Sequence, residues 1–179
     1  TAFTNALGNL KIFYELATPQ TWNSRSEISR VSDETYTNLL NPTAQTQTIN
    51  GVTFTNNGDG TYTVNGTATA RTFVNINYID SSTLSVPVGT YKLTGAPSNN
   101  GGARIQMMSI PGGQLGTDTG NGVIFTVPQG ITASYARIEI LSGTTCNNLL
   151  FKPMITTKLN ATYDDFVRYT GDSGRLNED

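Results

Sequence analysis

Histidine is absent from this 179-residue chain, and cysteine occurs once, at Cys146. Without histidine the commonest general base and the commonest transition-metal ligand are missing, which excludes Ser-His-Asp and Cys-His nucleophilic arrangements and histidine-based zinc sites. A lone cysteine cannot close an internal disulfide, and a small buried thiol is its expected state. Charge is scarce as well: Asp, Glu, Lys and Arg make up 13% of the residues, against about a quarter in ordinary soluble domains. The net charge of -2 comes with no basic cluster of the kind that neutralises phosphates, so nucleic acid is not an expected partner. No run approaches the roughly 20 apolar residues that cross a bilayer, and no charged-then-apolar leader opens the chain at Thr1. The expectation is a mature or excised piece that does not insert into a membrane, with secretion by a removed signal left open.

What is present is a polar but uncharged surface, rich in Thr, Asn, Gly and Ser, over a hydrophobic share of 36%, enough for one substantial core. Such surfaces are common among extracellular and virion β proteins, and this composition argues against a cytosolic metabolic enzyme. Residues 56–66, Asn-Asn-Gly-Asp-Gly-Thr-Tyr-Thr-Val-Asn-Gly, set an Asp59-Gly60 turn against a run of period two. Val52 and Phe54 lead in, and Tyr62, Val64, Gly66, Ala68 and Ala70 lead out, which reads as a hairpin with a tight type I′ turn. Further strands are expected at residues 73–79, 89–94, 103–110, 122–127, 134–141 and 149–155, with exposed loops at 97–102 and 111–122. No long amphipathic helix interrupts them. The fold class is all-β, an antiparallel two-sheet β-sandwich of jelly-roll type over residues 38–160, with an N-terminal connector at 1–37 and a C-terminal extension at 161–179. Within the connector, Leu10 to Leu16 alternates as a strand and Ser24-Arg25-Ser26-Glu27 has capping-box spacing.

Alternation assigns faces. Ala136, Ile138 and Ile140 take the core side of their strand, which turns Tyr135, Arg137, Glu139 and Leu141 outward. Ile105 and Met107 do the same for Arg104, Gln106 and Met108, as do Tyr91 and Leu93 for Lys92 and Thr94. If these strands share a sheet, Lys92, Arg104, Gln106, Tyr135, Arg137 and Glu139 form a polar patch with an aromatic, a mix that suits the hydroxyls and apolar ring face of a sugar. The competing reading is a set of cross-strand ion pairs on a solvated sheet, each worth about 0–1 kcal/mol. Glycosidase chemistry needs two carboxylates roughly 5–10 Å apart, and only Glu139 sits at a rigid outward position. Asp59 reads as a turn residue rather than a calcium ligand, and Trp22 as a packing or interface aromatic rather than a sugar platform. The glycine-rich loops carry no phosphate-binding pattern, and no catalytic residue, metal or cofactor is assigned.

Residues 38–171 resemble the jelly-roll, carbohydrate-binding-module-like domains of tail, baseplate and tail-fibre proteins from phages and prophages of gut Firmicutes. The similar pieces are Asn38-Leu39-Leu40-Asn41-Pro42, residues 57–68 of the hairpin, residues 84–93 with their Pro-Val-Gly-Thr-Tyr core, residues 142–155, and Tyr169-Thr170-Gly171. Phe13-Tyr14-Glu15-Leu16-Ala17-Thr18-Pro19 is similar to a stretch that precedes such modules. The resemblance implies an extracellular virion component, homo-oligomeric with a trimer among the options, that meets neighbouring tail proteins and a host cell-surface glycan. Domains of this type often hold a structural calcium through acidic residues near their first and last strands, whereas this last strand begins Asn147-Asn148-Leu149. The expected function is non-enzymatic glycan binding; the alternatives are a structural module that spaces or oligomerises a fibre, and a glycan depolymerase.

Overall fold

The computed structural model describes residues 36–77, 86–98, 101–131 and 133–171, and these form an all-β domain. The connector strand at Leu10 to Leu16, Trp22, the capping box at Ser24 to Glu27 and the tail from Asp172 lie outside the described residues. In chain order the strands are β1 (Gln47–Ile49), β2 (Val52–Asn56), β3 (Tyr62–Thr67), β4 (Thr72–Asn75), β5 (Gly89–Thr94) and β6 (Ala103–Ile110). They continue with β7 (Gly113–Asp118), β8 (Val123–Val127), β9 (Ala133–Ile140), β10 (Thr145–Phe151) and β11 (Met154–Thr156). Three antiparallel sheets result, ordered β1-β2-β3-β10, β11-β5-β8 and β4-β9-β6-β7.

Period-two patterning builds these strands, because each sheet must turn one face to apolar company. Val52, Phe54, Tyr62 and Val64 have no exposed surface, while Thr53, Thr55, Thr63 and Asn65 between them keep some. One continuous core draws on all three sheets, with Phe54, Tyr62 and Phe151 from the first, Leu93 and Phe125 from the second, and Ile105, Ile138 and Ile140 from the third. This arrangement is sandwich-like. Asn38 ties its ends together from a buried position. Its amide nitrogen donates to the carbonyls of Pro153 and Val167, both at 3.0 Å, and its oxygen accepts from the backbone N–H groups of Leu40 at 2.9 Å and Ile155 at 3.1 Å.

Two local expectations are corrected. Asp59-Gly60 is not a two-residue type I′ turn, since β2 ends opposite Tyr62 at Asn56 and a five-residue loop, 57–61, intervenes. Asp59 does not adopt the positive φ a type I′ turn requires. Its carboxylate instead accepts from the backbone N–H of Thr61 at 2.9 Å and from the Thr61 hydroxyl at 2.6 Å. The two-residue turn with both φ positive is Asn50-Gly51, at 48° and 81°, joining β1 to β2. The segment 111–122 is not wholly an exposed loop either: β7 occupies Gly113–Asp118 and pairs with β6. Gly116 is buried there, and a Cβ at that position would stand 3.1 Å from the Cβ of Phe125, so the bare backbone lets β7 pack closely.

Candidate functional site

β9 runs between β4 and β6 in the third sheet, and the register sets Glu139 between Phe73 and Arg104, and Arg137 between Asn75 and Gln106. Ile138 and Ile140 face the core with no exposed surface, so Arg137 and Glu139 occupy the opposite face. Facing away from the core does not put Glu139 in water. Its side chain has 0% exposure because three guanidinium groups roof it. Arg71, just ahead of β4, donates through Nε to Oε1 at 2.7 Å and pairs through Nη2 with the same oxygen. Arg104 engages Oε2 with both Nε and Nη2, and Arg137 Nη2 lies 3.5 Å from Oε1. A carboxylate removed from water needs such charge-assisted donors, and it fixes the planar forks that supply them.

The network extends along the face. Arg137 Nε donates to Gln106 Oε1 at 2.7 Å, and Gln106 Nε2 donates to Gln114 Oε1 at 2.6 Å. The Arg137 guanidinium also lies over the Phe73 ring, 4.7 Å from its centroid. Gln106 is buried at 2% exposure, whereas Phe73 remains 43% exposed. The result is a sheet face with fixed cations, an amide relay and an aromatic edge.

Of the six residues expected in one patch, Arg104, Gln106, Tyr135, Arg137 and Glu139 stand on the adjacent strands β6 and β9. Lys92 does not join them: it lies on β5, between Thr156 and Ile124, in the separate sheet β11-β5-β8. Gln106 and Glu139 are buried rather than open to solvent, and Thr94, also expected outward, is buried at 1% exposure. Arg71, Phe73 and Gln114 belong to the cluster and were not among the expected residues. Buried Thr72 and Val74 between Arg71, Phe73 and Asn75 are the signal that could have found the first two.

A concavity of about 530 Å³ lies among loops and is lined by Pro97, Ser98, Asn121, Tyr163 and Asp164, sharing no residue with the sheet face. Its aromatic is already engaged, with Lys152 Nζ 4.3 Å from the Tyr163 ring centroid and the Tyr163 hydroxyl donating to the Leu150 carbonyl at 2.9 Å. Burial, and then the nearby Asp164 charge, push the Tyr163 phenol pKa upward. Burial also raises the pKa of the Cys146 thiol, which keeps it protonated and unreactive. Asp118, 1% exposed, accepts backbone N–H bonds from Ala96, Gly120 and Gly122 at 2.7–2.8 Å, so its role is to fold the turn after β7. Among the described residues no three His, Cys, Asp or Glu side chains cluster as a metal site would require, and no helix is long and apolar enough to cross a membrane. No protein-family model, curated protein or solved structure matches the chain.

Proposed function

We propose that this chain is a non-enzymatic binding module of a phage tail, baseplate or tail-fibre protein, and that it recognises host cell-surface carbohydrate on the outer face of β4-β9-β6-β7. We also propose jelly-roll topology for the domain. The chain steps from β10 to β11 through Lys152, whose N–H bonds the Gly95 carbonyl at 2.9 Å, so that β3, β10 with β11, β5 and β8 run as one layer beside β4-β9-β6-β7. Successive strands from β3 to β10 then alternate between layers, with β6 and β7 together in one, which is the order expected when paired hairpins roll around a barrel.

The observation that carries the binding reading is the fixed array of Arg71, Arg104 and Arg137 beside half-exposed Phe73. Held guanidinium forks bond oxygen-rich ligands with little loss of rotamer entropy, and an aromatic edge receives the apolar face of a sugar ring. A depolymerase is disfavoured, since both Glu139 oxygens are engaged by arginines and the ladder positions flanking it, Phe73 and Arg104, are not acidic. The structural alternative finds its support on the other layer, where Val88 at 61% and Ile124 at 52% exposure offer apolar contact to a neighbour. Both roles coexist if the fibre contact uses that layer. The test is binding of the folded chain to a glycan array and to purified host cell walls. Retention on walls that is competed by a soluble glycan is expected, and the absence of binding to either would refute the carbohydrate reading.

A further inference from the structure

We infer that the ligand of this face is an anionic saccharide or polyol, one that presents a carboxylate or a phosphate ester to the arginine cluster. The inference rests on the carbohydrate-binding reading above and narrows its chemistry. Three guanidinium groups surround one carboxylate, which leaves two positive charges in surplus. The described residues as a whole hold seven Lys and Arg and five Asp and Glu, so this single face accounts for their entire positive excess. Glu139 consumes only part of the donor capacity. Nε and Nη2 of Arg71 and Arg104 point at its oxygens, and Arg137 divides its donors between Glu139 and Gln106, whereas three guanidinium groups carry about fifteen N–H donors against the roughly four lone-pair sites of one carboxylate.

A neutral sugar leaves that charge uncompensated; its hydroxyls bond donors and acceptors alike and take no advantage of three cations. A carboxylate or phosphate accepts several N–H bonds at once from planar forks, which is the geometry presented here. The Arg71 side chain, 56% exposed, and that of Arg104, 25% exposed, are open to such a group, and Phe73, two residues from Arg71 on β4 and beneath the Arg137 guanidinium, offers its exposed edge to the sugar ring. Glu139 therefore acts as a positioning residue: it holds the arginines in place while an incoming anion completes their charge balance.

The experiment titrates the full chain, by calorimetry, with a trigalacturonate, with a short glycerol-phosphate oligomer and with a neutral hexasaccharide. Binding of at least one anionic probe roughly tenfold or more tighter than the neutral one is expected, weakening severalfold as salt rises because exposed charges are screened. Preference between the carboxylate and phosphate probes identifies which source supplies the anion. Arg71→Gln is expected to weaken the anionic ligand about fivefold or more and the neutral one by a clearly smaller factor, and Arg71→Lys to restore part of the anionic loss. Equal affinity for neutral and anionic probes would overturn the inference and leave carbohydrate binding standing. No binding of any probe, with a negative glycan array, would overturn both. Mass measurement in parallel covers a further outcome: an oligomer that Arg71→Glu dissociates would make this face a seam between copies of the chain and refute the proposal.

Discussion

In a Glu139→Gln variant the side chain keeps its size and one acceptor oxygen but loses the charge that three guanidinium groups share. The cost depends on how far each arginine can recover water. Arg71, 56% exposed, turns out to solvent at little expense, whereas Arg104 at 25% and Arg137 at 13% remain partly enclosed beside an amide that now places a donor against one of them. Removing one partner from a buried ion pair costs about 3–5 kcal/mol, and discounting for the exposure of Arg71 leaves about 2–4 kcal/mol. Arg71→Gln, by contrast, is expected to cost below about 1 kcal/mol, as for a surface pair. Urea unfolding followed by far-ultraviolet circular dichroism measures both, and the midpoint should fall for Glu139→Gln with an unchanged slope. In a thermal scan the loss corresponds to roughly 5–15 °C. Equal losses for the two variants, or a Glu139→Gln loss under about 1 kcal/mol, would refute the view that this carboxylate organises the face.

Asn38→Ala removes four hydrogen bonds from a buried side chain and should cost about 2–4 kcal/mol, with faster hydrogen exchange at the amides of Leu40 and Ile155. Gly66→Ala should destabilise by more than about 2 kcal/mol in urea unfolding, since φ is 111° and a Cβ would run into the Gly51 carbonyl oxygen. Gly58→Ala, at φ 80° with nothing within 4 Å, should cost about 1–2 kcal/mol from conformation alone. Burial raises the Tyr62 phenol pKa above its ordinary 10.0, outweighing the bond it donates to the Ala44 carbonyl at 3.0 Å. Its contribution is thus fully present below pH 10 and is lost as pH climbs from there toward the folded-state value, because the unfolded chain releases the proton first. Tyr62→Phe should cost about 1 kcal/mol at neutral pH and show a smaller loss of stability above pH 10 than the parent, as read from Tm against pH.

Local alternation made the strands and their faces legible: Ala136, Ile138 and Ile140 go to the core, and Arg137 and Glu139 go to the other side. It could not say which strands become neighbours, because pairing depends on contacts far apart in sequence. Lys92 obeys the same period as Arg104 yet lies in another sheet, while Arg71 and Phe73 reach Glu139 across 68 and 66 positions. Nor does alternation distinguish turning from the core from turning to water, since long side chains on neighbouring strands can close over a shorter one, as the arginines do over Glu139. The turns failed for a related reason. Asn50-Gly51 and Asp59-Gly60 are chemically alike, but Asp59 spends its carboxylate on Thr61 and the chain rounds a longer loop.

The faces of this domain that turn away from the core differ in what they leave unspent. On β1-β2-β3-β10 threonine hydroxyls bond one another across strands, Thr48 to Thr53 at 2.9 Å and Thr67 to Thr145 at 3.0 Å, and no Asp, Glu, Lys or Arg occurs in these four strands. That pattern is sufficient for solubility and blunts the pull of any single ligand, because donors and acceptors are already matched. On β4-β9-β6-β7 the same chain, with charge on only 13% of its residues, gathers three arginines around one carboxylate withdrawn from water. A buried ion network is a poor way to gain stability, since apolar side chains of similar volume do as well. What it supplies that threonine cannot is a set of oriented cations with donors to spare, and this is why the proposed binding face is assigned here and not to the neutral sheet.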